Sequence, residues 1–159
     1  YKRMHGTEVR IARIFNTYGP RMLENDGRVI SNFIVQALSG NSLTIYGDGQ
    51  QTRSFCYIND MTEGLMRLME HDQTGPINLG NPDEISVHQL ARKICSLINK
   101  ELEVENKGKP EDDPLQRQPV ITKARKELKW EPSVSLEQGL LETINDFRRR
   151  RESTLGSTR

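Results

Sequence analysis

The chain has 159 residues, which suits one domain of ordinary size. Its formal net charge of +1, with 28% charged residues, favours neither a nucleic-acid binder nor a membrane-surface protein. No apolar run approaches the length of a membrane span. The two cysteines, Cys56 and Cys95, match no metal or redox spacing, so we expect two buried, reduced thiols and no metal site.

The first part of the chain alternates apolar and polar segments. Residues 1–6 predict the last turn of a helix that ends at Gly6, and residues 8–15 predict a buried strand. Residues 28–40 place apolar side chains at helical spacing up to a terminal Gly40. Because the chain opens in the middle of a helical pattern without an initiator Met, we expect a piece of a longer protein.

Residues 43–58 carry a hairpin signal. Two short apolar strands flank the turn sequence Gly47-Asp48-Gly49, which is typical of antiparallel strand pairs. Asp60, with Glu63 three residues later, then resembles a capping box that opens a helix.

The next segments repeat the alternation of strand and helix. Residues 76–82 predict a short strand, and Ser86 with Gln89 predicts a capping box that opens a second amphipathic helix. Residues 102–105 alternate as an edge strand. Residues 106–119 contain three prolines and no apolar periodicity, so they predict a loop, and a loop of that length is often functional.

Two more helices are predicted at the carboxyl end. Residues 121–128 form the first, and Ser135 with Gln138 caps the second. Arginines 148–151 are interpreted as favourable charge at the negative end of that helix rather than as a nucleic-acid site. Residues 152–159 are expected to be a disordered tail.

The predicted layout is mixed α/β with helices in the majority. Four or five short strands do not make a self-sufficient doubly wound sheet. We therefore expect some of them to complete a sheet whose other strands lie upstream.

Three groups of polar residues could bind a ligand. They lie at 16–28, at 46–53 and at Arg117, and each contains an arginine whose planar fork fits phosphate. Amide side chains bind base edges or sugar hydroxyls, and Tyr46 offers a ring face. Together they suit a ligand with a diphosphate, a sugar and an aromatic base. Each group also has a structural explanation, as solvated charge, turn or helix cap, so the residues alone indicate only a ligand-binding part of an α/β protein.

Several longer motifs resemble a known family. The chain is similar to the C-terminal part of the UDP-glucuronic acid decarboxylases, which are extended short-chain dehydrogenases/reductases. The motifs are VRIARIFNTYGPRM, DGRVISNFIVQAL, LTIYGDGQQTRSF, INLGNP, DDPLQRQP and WEPSVSLEQGL. The first and third have counterparts across nucleotide-sugar epimerases and dehydratases, whereas FNTYGPRM, QTRSF and the DDP-x-x-R-x-P pattern are more specific to the decarboxylases.

The resemblance implies a fold and an activity. The fold would be the C-terminal portion of an extended Rossmann-type α/β protein, with its last sheet strands plus a small mixed α/β domain that binds the UDP-sugar. Residues 1–27 would end the Rossmann-type domain, and residues 28–151 would form most of the substrate-binding domain. A recycled NAD would oxidise UDP-glucuronate at C4, carbon dioxide would leave, and hydride return would give UDP-xylose. The full-length protein would be a homodimer.

The resemblance also implies roles for single residues. Arg117 would act in the chemistry, and we favour electrostatic guidance over proton donation because arginine is a poor acid. Residues 44–53 would cradle the uridine and the diphosphate. The expected substrate-binding residues are Tyr1, Asn16, Thr44, Tyr46, Gln51 and Arg53, and those expected beside NAD or a subunit contact are Thr17 and Arg28.

The chain departs from the family in two motifs. It contains neither the glycine-rich dinucleotide fingerprint nor the Tyr-x-x-x-Lys pair. It is therefore interpreted as the substrate-binding half of an enzyme and as inactive alone. The alternatives are a 4,6-dehydratase, a 4-epimerase or a non-catalytic binding module. Relatives occur in the cytosol and, with an upstream anchor, in the Golgi, so both compartments stay open, with no membrane contact expected from this segment.

Overall fold

The computed structural model describes residues 2–72, 75–108 and 116–156. Six helices and nine short strands follow one another in these residues. In chain order they are α1 (Lys2–His5), β1 (Ala12–Ile14), β2 (Thr17–Tyr18), α2 (Val29–Ser39), β3 (Leu43–Tyr46), β4 (Thr52–Ser54), β5 (Cys56–Tyr57), α3 (Ile58–Glu70), β6 (Ile77–Leu79), β7 (Glu84–Ser86), α4 (Val87–Ile98), β8 (Val104–Lys107), β9 (Gln116–Arg117), α5 (Thr122–Leu128) and α6 (Leu136–Gly156).

Two compact units are interleaved along the chain. Unit 1 contains Tyr1–Thr17, Ser54–Glu84 and Gln118–Val134, and unit 2 contains the segments between and after them. The sequence predicted two consecutive parts, 1–27 and 28–151. The units interleave because parallel strand pairs join residues that are far apart in the chain.

Unit 1 is built on the parallel pair β1–β6. Ala12 lies opposite Ile77 and Ile14 lies opposite Leu79. Helices α3 and α5 pack on this pair around the buried indole of Trp130. A Cβ on Gly64 would lie 2.9 Å from Trp130 Cε2, so only glycine lets α3 approach the ring this closely.

The predicted buried strand at 8–15 is wrong in length and in burial. The observed strand β1 has three residues, and Ile11 and Ile14 are 46% and 57% exposed. Ala12 packs against the core of unit 1. The described residues place no covering layer over Ile11 and Ile14, so an apolar pattern that predicts burial is left exposed.

Asp60 does not form the predicted capping box. Helix α3 begins at Ile58, and its N-cap residue, Tyr57, makes no side-chain cap. The buried carboxylate of Asp60 instead accepts hydrogen bonds from Ser133 Oγ and Val134 N, both at 3.0 Å. Trp130 Nε1 donates to the Asp60 carbonyl at 2.9 Å. Asp60 thus ties the first turn of α3 to a distant turn of the same unit.

Unit 2 surrounds the parallel pair β3–β8 with helices. Leu43 and Ile45 of β3 are fully buried, and α2 and α4 pack against this strand. The large side chains that complete this core come from three helices. They are Phe33, Ile34, Leu90, Ile94, Leu140, Ile144 and Phe147.

The helix ends of unit 2 confirm local predictions. Gly40 ends α2 in the left-handed conformation, with φ of 75°. Ser86 and Gln89 form a complete capping box on α4. Ser135 Oγ accepts from Gln138 N at 3.2 Å, and α6 then continues to Gly156, five residues into the predicted tail.

The predicted hairpin at 43–58 is wrong. Strand β3 pairs with β8, whereas β4 lies between β7 and β9 in another sheet. Backbone groups of the intervening turn are therefore bonded elsewhere, with Gly47 N donating to Lys107 O at 2.8 Å. Residues 106–107 and 116–117 of the predicted 106–119 loop also lie in strands, β8 and β9.

The cysteines are free thiols, as expected. Cys56 is buried, and Cys95 is half-buried, so the expectation of burial holds fully only for Cys56. In the described parts of the chain, no helix combines the length and apolar character needed to cross a membrane.

Candidate functional site

Arg53 and Arg117 are cross-strand neighbours. They lie 64 positions apart in the sequence, yet β4 and β9 pair in parallel with Arg53 opposite Arg117. Register partners on neighbouring strands project to the same face, and such strands lie about 4.8 Å apart. Two positive charges in this position repel each other and favour an anion that both contact. Arg117 lies in a strand, not in the loop that the sequence predicted.

The turn before β4 is held by Gln51. This side chain is 8% exposed, and its Nε2 donates to Tyr46 O at 2.7 Å across the turn. The turn also contains Gly49, whose Cβ, if present, would lie 3.1 Å from Ile45 and 3.2 Å from His88. The segment is therefore tightly packed, and Tyr46 at its edge is 49% exposed, which leaves a ring face accessible.

The first turn of α4 is not an anion site. Val87 N donates to Gln51 O at 3.1 Å, and His88 N donates to Gly49 O at 3.0 Å. The third N–H, of Gln89, donates to Ser86 Oγ at 3.1 Å. Because these three donors are already used, the start of α4 offers none of them to an anion, whereas the arginine pair supplies positive charge from side chains.

Thr44 has a structural partner. Gln36 Nε2 donates to Thr44 Oγ1, and Thr44 N donates to Gln36 Oε1, both at 3.1 Å. This reciprocal pair joins α2 to β3. The predicted ligand role of Thr44 stays a prediction, and its hydroxyl already serves as an acceptor inside unit 2.

Asn16 is oriented by one of its two amide hydrogens. Its side-chain Nδ2 donates to Ser54 O at 3.1 Å, and its backbone carbonyl accepts from Cys56 N at 2.8 Å. A primary amide has two N–H groups and an oxygen, so this bond uses only part of its capacity. Its neighbour Thr17 donates from Oγ1 to Phe15 O at 2.9 Å.

Arg28 is engaged with Asp26. The Arg28 N–H donates to Asp26 Oδ1 at 3.0 Å, and Nε donates to Asp26 Oδ2 at 2.6 Å. Ser31 Oγ also donates to Asp26. Burial opposes the charge of Asp26, but these donors outweigh it and lower the pKa of its carboxyl. The arrangement fixes the start of α2 and gives no independent support for a cofactor role of Arg28.

Helix α6 buttresses the turn after the NTYGPR segment, which the sequence did not predict. Asp146 Oδ2 accepts from Arg21 N and from Arg150 Nε, both at 2.9 Å. Arg150 also donates to Met22 O at 2.9 Å and stacks over Phe147. The interpretation of residues 148–151 as helix-end charge is thus wrong for Arg150, because α6 continues past it and its guanidinium binds the turn.

A second arginine of α6 holds the same turn. Arg151 contacts both carboxylate oxygens of Glu24, at 2.9 to 3.2 Å. The hydrogen bond from Arg151 lowers the pKa of Glu24 against the effect of burial. In the sequence, only the run of four arginines pointed to these contacts. Their partners at 21–24 lie about 125 residues away, so no local pattern could identify them.

The residues that follow Arg117 are anchored within unit 1. Gln118 Nε2 donates to Pro82 O at 2.7 Å, and Pro119 is buried. A Cβ on Gly80 would lie 2.9 Å from Pro119 Cγ and 2.8 Å from Phe15 Cβ, so the segment passes close to the end of β1. Gln118 and Gly80 therefore have structural roles that the sequence motifs did not indicate.

Two predicted elements lie outside the described residues. These are Tyr1 and the acidic part of the DDPLQRQP motif at 112–115. Among the residues the structure describes, no group of three or more His, Cys, Asp or Glu could hold a metal ion.

Known proteins with similar sequences are nucleotide-sugar enzymes. UDP-glucuronic acid decarboxylase 5 of Arabidopsis thaliana is 58% identical over 150 residues, which is 94% of this chain and 44% of that protein. The chain thus spans less than half the length of this relative.

Solved structures give the same picture. UDP-glucose 4-epimerase of Thermotoga maritima, solved with UDP-glucose, superposes with a TM-score of 0.90 at 30% identity, over 94% of this chain and 49% of that one. UDP-glucuronic acid 4-epimerase of Bacillus cereus, in complex with UDP-glucuronic acid and NAD, gives 0.87 at 29% identity, over 94% and 48%. The α/β fold is therefore that of the epimerases and dehydratases, as the resemblance implied.

The family model described as GDP-mannose 4,6 dehydratase matches residues 1–143. Since this match covers most of the chain, the chain belongs to the GDP-mannose 4,6 dehydratase family.

Proposed function

We propose that this chain is the substrate-binding part of a UDP-glucuronate decarboxylase, an enzyme that converts UDP-glucuronate to UDP-xylose and carbon dioxide. The similarity to the Arabidopsis thaliana decarboxylase supports the reaction. The observation that carries the binding role is the parallel register of Arg53 and Arg117. UDP-glucuronate has a diphosphate and a carboxylate, and two adjacent guanidinium groups suit such an anionic ligand.

Each site residue has a proposed task in this function. Arg53 binds the diphosphate, and Arg117 orients an anionic group of the sugar nucleotide by charge rather than by giving up a proton. Tyr46 presents its exposed ring to the uracil base. For Asn16 of unit 1 the support is the resemblance, together with an amide that Ser54 O orients. For Thr44 and Tyr1 the support is the resemblance, and Gln51 contributes through the turn that it holds rather than by contact with the substrate.

The complete protein is proposed to use NAD, as the complex of the Bacillus cereus epimerase contains it. NAD would supply the hydride chemistry when bound. The residues present here do not by themselves fit a dinucleotide. The sequence has no glycine-rich fingerprint, Thr17 donates to the backbone, and Arg28 is engaged with Asp26. The homodimer and the choice between cytosol and Golgi are likewise proposals for the full-length protein.

Exposed apolar residues, and an edge that no described strand pairs with, support a larger sheet at β1. Ile11 and Ile14 are half exposed in unit 1, and β1 pairs with β6 alone among the described strands. We propose that further strands of the complete protein continue this sheet. A free strand edge of this kind favours aggregation, so the isolated chain should bind UDP weakly and self-associate.

A decarboxylation assay tests the function. The complete protein should release labelled carbon dioxide from carboxyl-labelled UDP-glucuronate without added NADH. Arg117→Ala should lower turnover at least about a hundredfold while bound NAD is unchanged. Arg92→Ala, which removes an exposed arginine of α4, should stay within about twofold of the unmodified protein.

Three outcomes would contradict the proposal. Near-normal turnover of Arg117→Ala would remove its role. Formation of the C4 epimer of UDP-glucuronate, or of a 4-keto-6-deoxy sugar from UDP-glucose, with no carbon dioxide from UDP-glucuronate, would assign the protein to the 4-epimerases or 4,6-dehydratases instead. Micromolar UDP binding by a stable monomer of this chain would favour a non-catalytic binding module.

A further inference from the structure

We propose that Gln51 is a positioning residue that sets the arginine pair, and that it does not itself bind the ligand. The inference rests on the proposed function and assigns a distinct task to one residue of the same site. Gln51 is polar and yet buried. The side chain is 8% exposed in a polar, turn-forming stretch, and a buried amide is retained only when it is hydrogen-bonded.

The Gln51 amide points across the turn to the end of β3. Nε2 donates to the carbonyl of Tyr46 at 2.7 Å, across the five residues that separate β3 from β4. A hairpin would fix this distance with ladder hydrogen bonds between its two strands. Here β3 and β4 belong to different sheets, so the bond from the Gln51 side chain takes over that task.

The backbone of the turn is fixed from the other side. Gln51 O accepts from Val87 N at 3.1 Å, and Gly49 O accepts from His88 N at 3.0 Å, which docks the turn on the first turn of α4. A Cβ on Gly49 would lie 3.2 Å from His88 Cβ, so glycine at this position lets the turn dock this closely on α4.

Gln51 therefore sets the direction in which the chain enters β4. Arg53 lies two residues further on and is the register partner of Arg117. A change at Gln51 would rotate or release the start of β4, and with it the spacing of the two guanidinium groups. It would also free the backbone carbonyl of the exposed Tyr46. The expected consequence is weaker binding of the anionic substrate, with the chemical step less affected.

A carboxyl group in place of the amide gives a test with a specific signature. In Gln51→Glu, a protonated acid can donate to Tyr46 O, whereas a carboxylate cannot and repels that oxygen. Burial raises the pKa of such a carboxyl. In the complete enzyme, we expect the KM for UDP-glucuronate to rise about tenfold at pH 8, the effect of one lost buried hydrogen bond. It should recover toward the unmodified value near about pH 5.5, with kcat changed less than KM throughout.

Two further variants make the result specific. Gln51→Met should raise KM by a similar factor at every pH, because it never donates a hydrogen bond. Gln50→Glu adds the same charge at the exposed neighbouring position, where a carboxyl stays ionised from about pH 5.5 to pH 8, so its KM should not recover on acidification. An unchanged KM in Gln51→Met, or a pH response in Gln50→Glu equal to that of Gln51→Glu, would overturn the proposal.

A measurement without turnover separates this proposal from the proposed function. Amide hydrogen exchange of the unliganded complete protein should show lower protection of residues 47–53 in Gln51→Glu than in Gln50→Glu at pH 8, and equal protection near about pH 5.5. If the unmodified protein released no carbon dioxide but this difference appeared, only the decarboxylase function would fail. If protection were the same in both variants at pH 8, the proposed role of the Gln51–Tyr46 hydrogen bond in holding the turn would be wrong.

Discussion

Strands β1 and β3 pair in the same way but differ in burial. Both are short, and each pairs in parallel with one neighbour in the described structure. Ile45 of β3 is fully buried beneath α2 and α4, whereas Ile14 of β1 is 57% exposed. Strand pairing satisfies the backbone, but helices must cover the side chains. Unit 2 therefore closes a core from its own residues, and unit 1 keeps exposed apolar side chains that suit further packing.

The largest predicted effect is a matched pair of isoleucine truncations. Ile45→Ala should lower the free energy of unfolding by about 2–5 kcal/mol, because it removes fully buried methyl groups and leaves a cavity. Ile14→Ala, at a half-exposed position of the equivalent strand, should cost about 0.5 kcal/mol or less in this chain. Urea denaturation followed by circular dichroism measures both, and equal costs would contradict the difference in burial.

Unit 1 should depend on a buried polar contact in addition to its apolar core. Asp60→Ala removes the acceptor of both Ser133 Oγ and Val134 N, and we expect a loss of about 2–3 kcal/mol. Glu63→Ala, in the same helix, loses only an exposed ion pair with Arg67, which is worth about 0.5 kcal/mol or less. A stability of Asp60→Ala equal to that of Glu63→Ala would show that the hydrogen bonds to the Asp60 carboxylate contribute little to stability.

Unit 2 should be the more acid-sensitive of the two. Burial raises the pKa of the Asp146 carboxyl, but the Arg21 N–H and the Arg150 guanidinium lower it by more. The pKa therefore lies below its ordinary value of 3.8. A lowered folded pKa contributes stability above the unfolded value, and this is lost as the pH falls through the folded value. The urea midpoint should therefore drop below about pH 4.

The Asp146→Asn variant checks this assignment. It should be less stable than the unmodified chain at pH 6 and should lose less on acidification to pH 3, because its side chain no longer titrates. Identical pH profiles for the two proteins would show that another group causes the acid loss.

The smallest predicted effect concerns thiol reactivity. Burial, together with the charge of Asp60, raises the pKa of Cys56 in unit 1 to about 12. The folded thiol therefore stays neutral above the ordinary value of 9.0, and its contribution to stability is lost only as the pH rises from 9.0 toward 12. At pH 8 a thiol reagent should modify the half-buried Cys95 first. In Cys95→Ser, labelling of Cys56 should require unfolding, and rapid labelling without unfolding would contradict its burial.

Local sequence patterns predicted the helix ends of unit 2 and helix α5 correctly. Gly40 ends α2, and Ser86 with Gln89 caps α4, because each of these interactions lies within one helical turn. The helix at 121–128 was likewise predicted within one residue of its observed start.

Long-range pairing was not predictable from spacing. The Gly47-Asp48-Gly49 signal suggested a hairpin, but β3 pairs with residues 104–107 and β4 pairs with residues 116–117. The same limit applies to Asp60, whose partners lie more than 70 positions away. Arg53 and Arg117 were singled out separately as phosphate-binding residues, and only the parallel register of β4 and β9 places them side by side.

A double-mutant cycle on the complete enzyme tests the arginine pair most directly. Arg53→Ala and Arg117→Ala should each lower kcat/KM for UDP-glucuronate by about a hundredfold, and the double variant by about a thousandfold or less. This shortfall from the product of the single effects is expected because both groups serve one anionic ligand from neighbouring strands. A loss in the double variant equal to that product, about ten-thousandfold, would show that the two arginines act independently and would contradict the shared site.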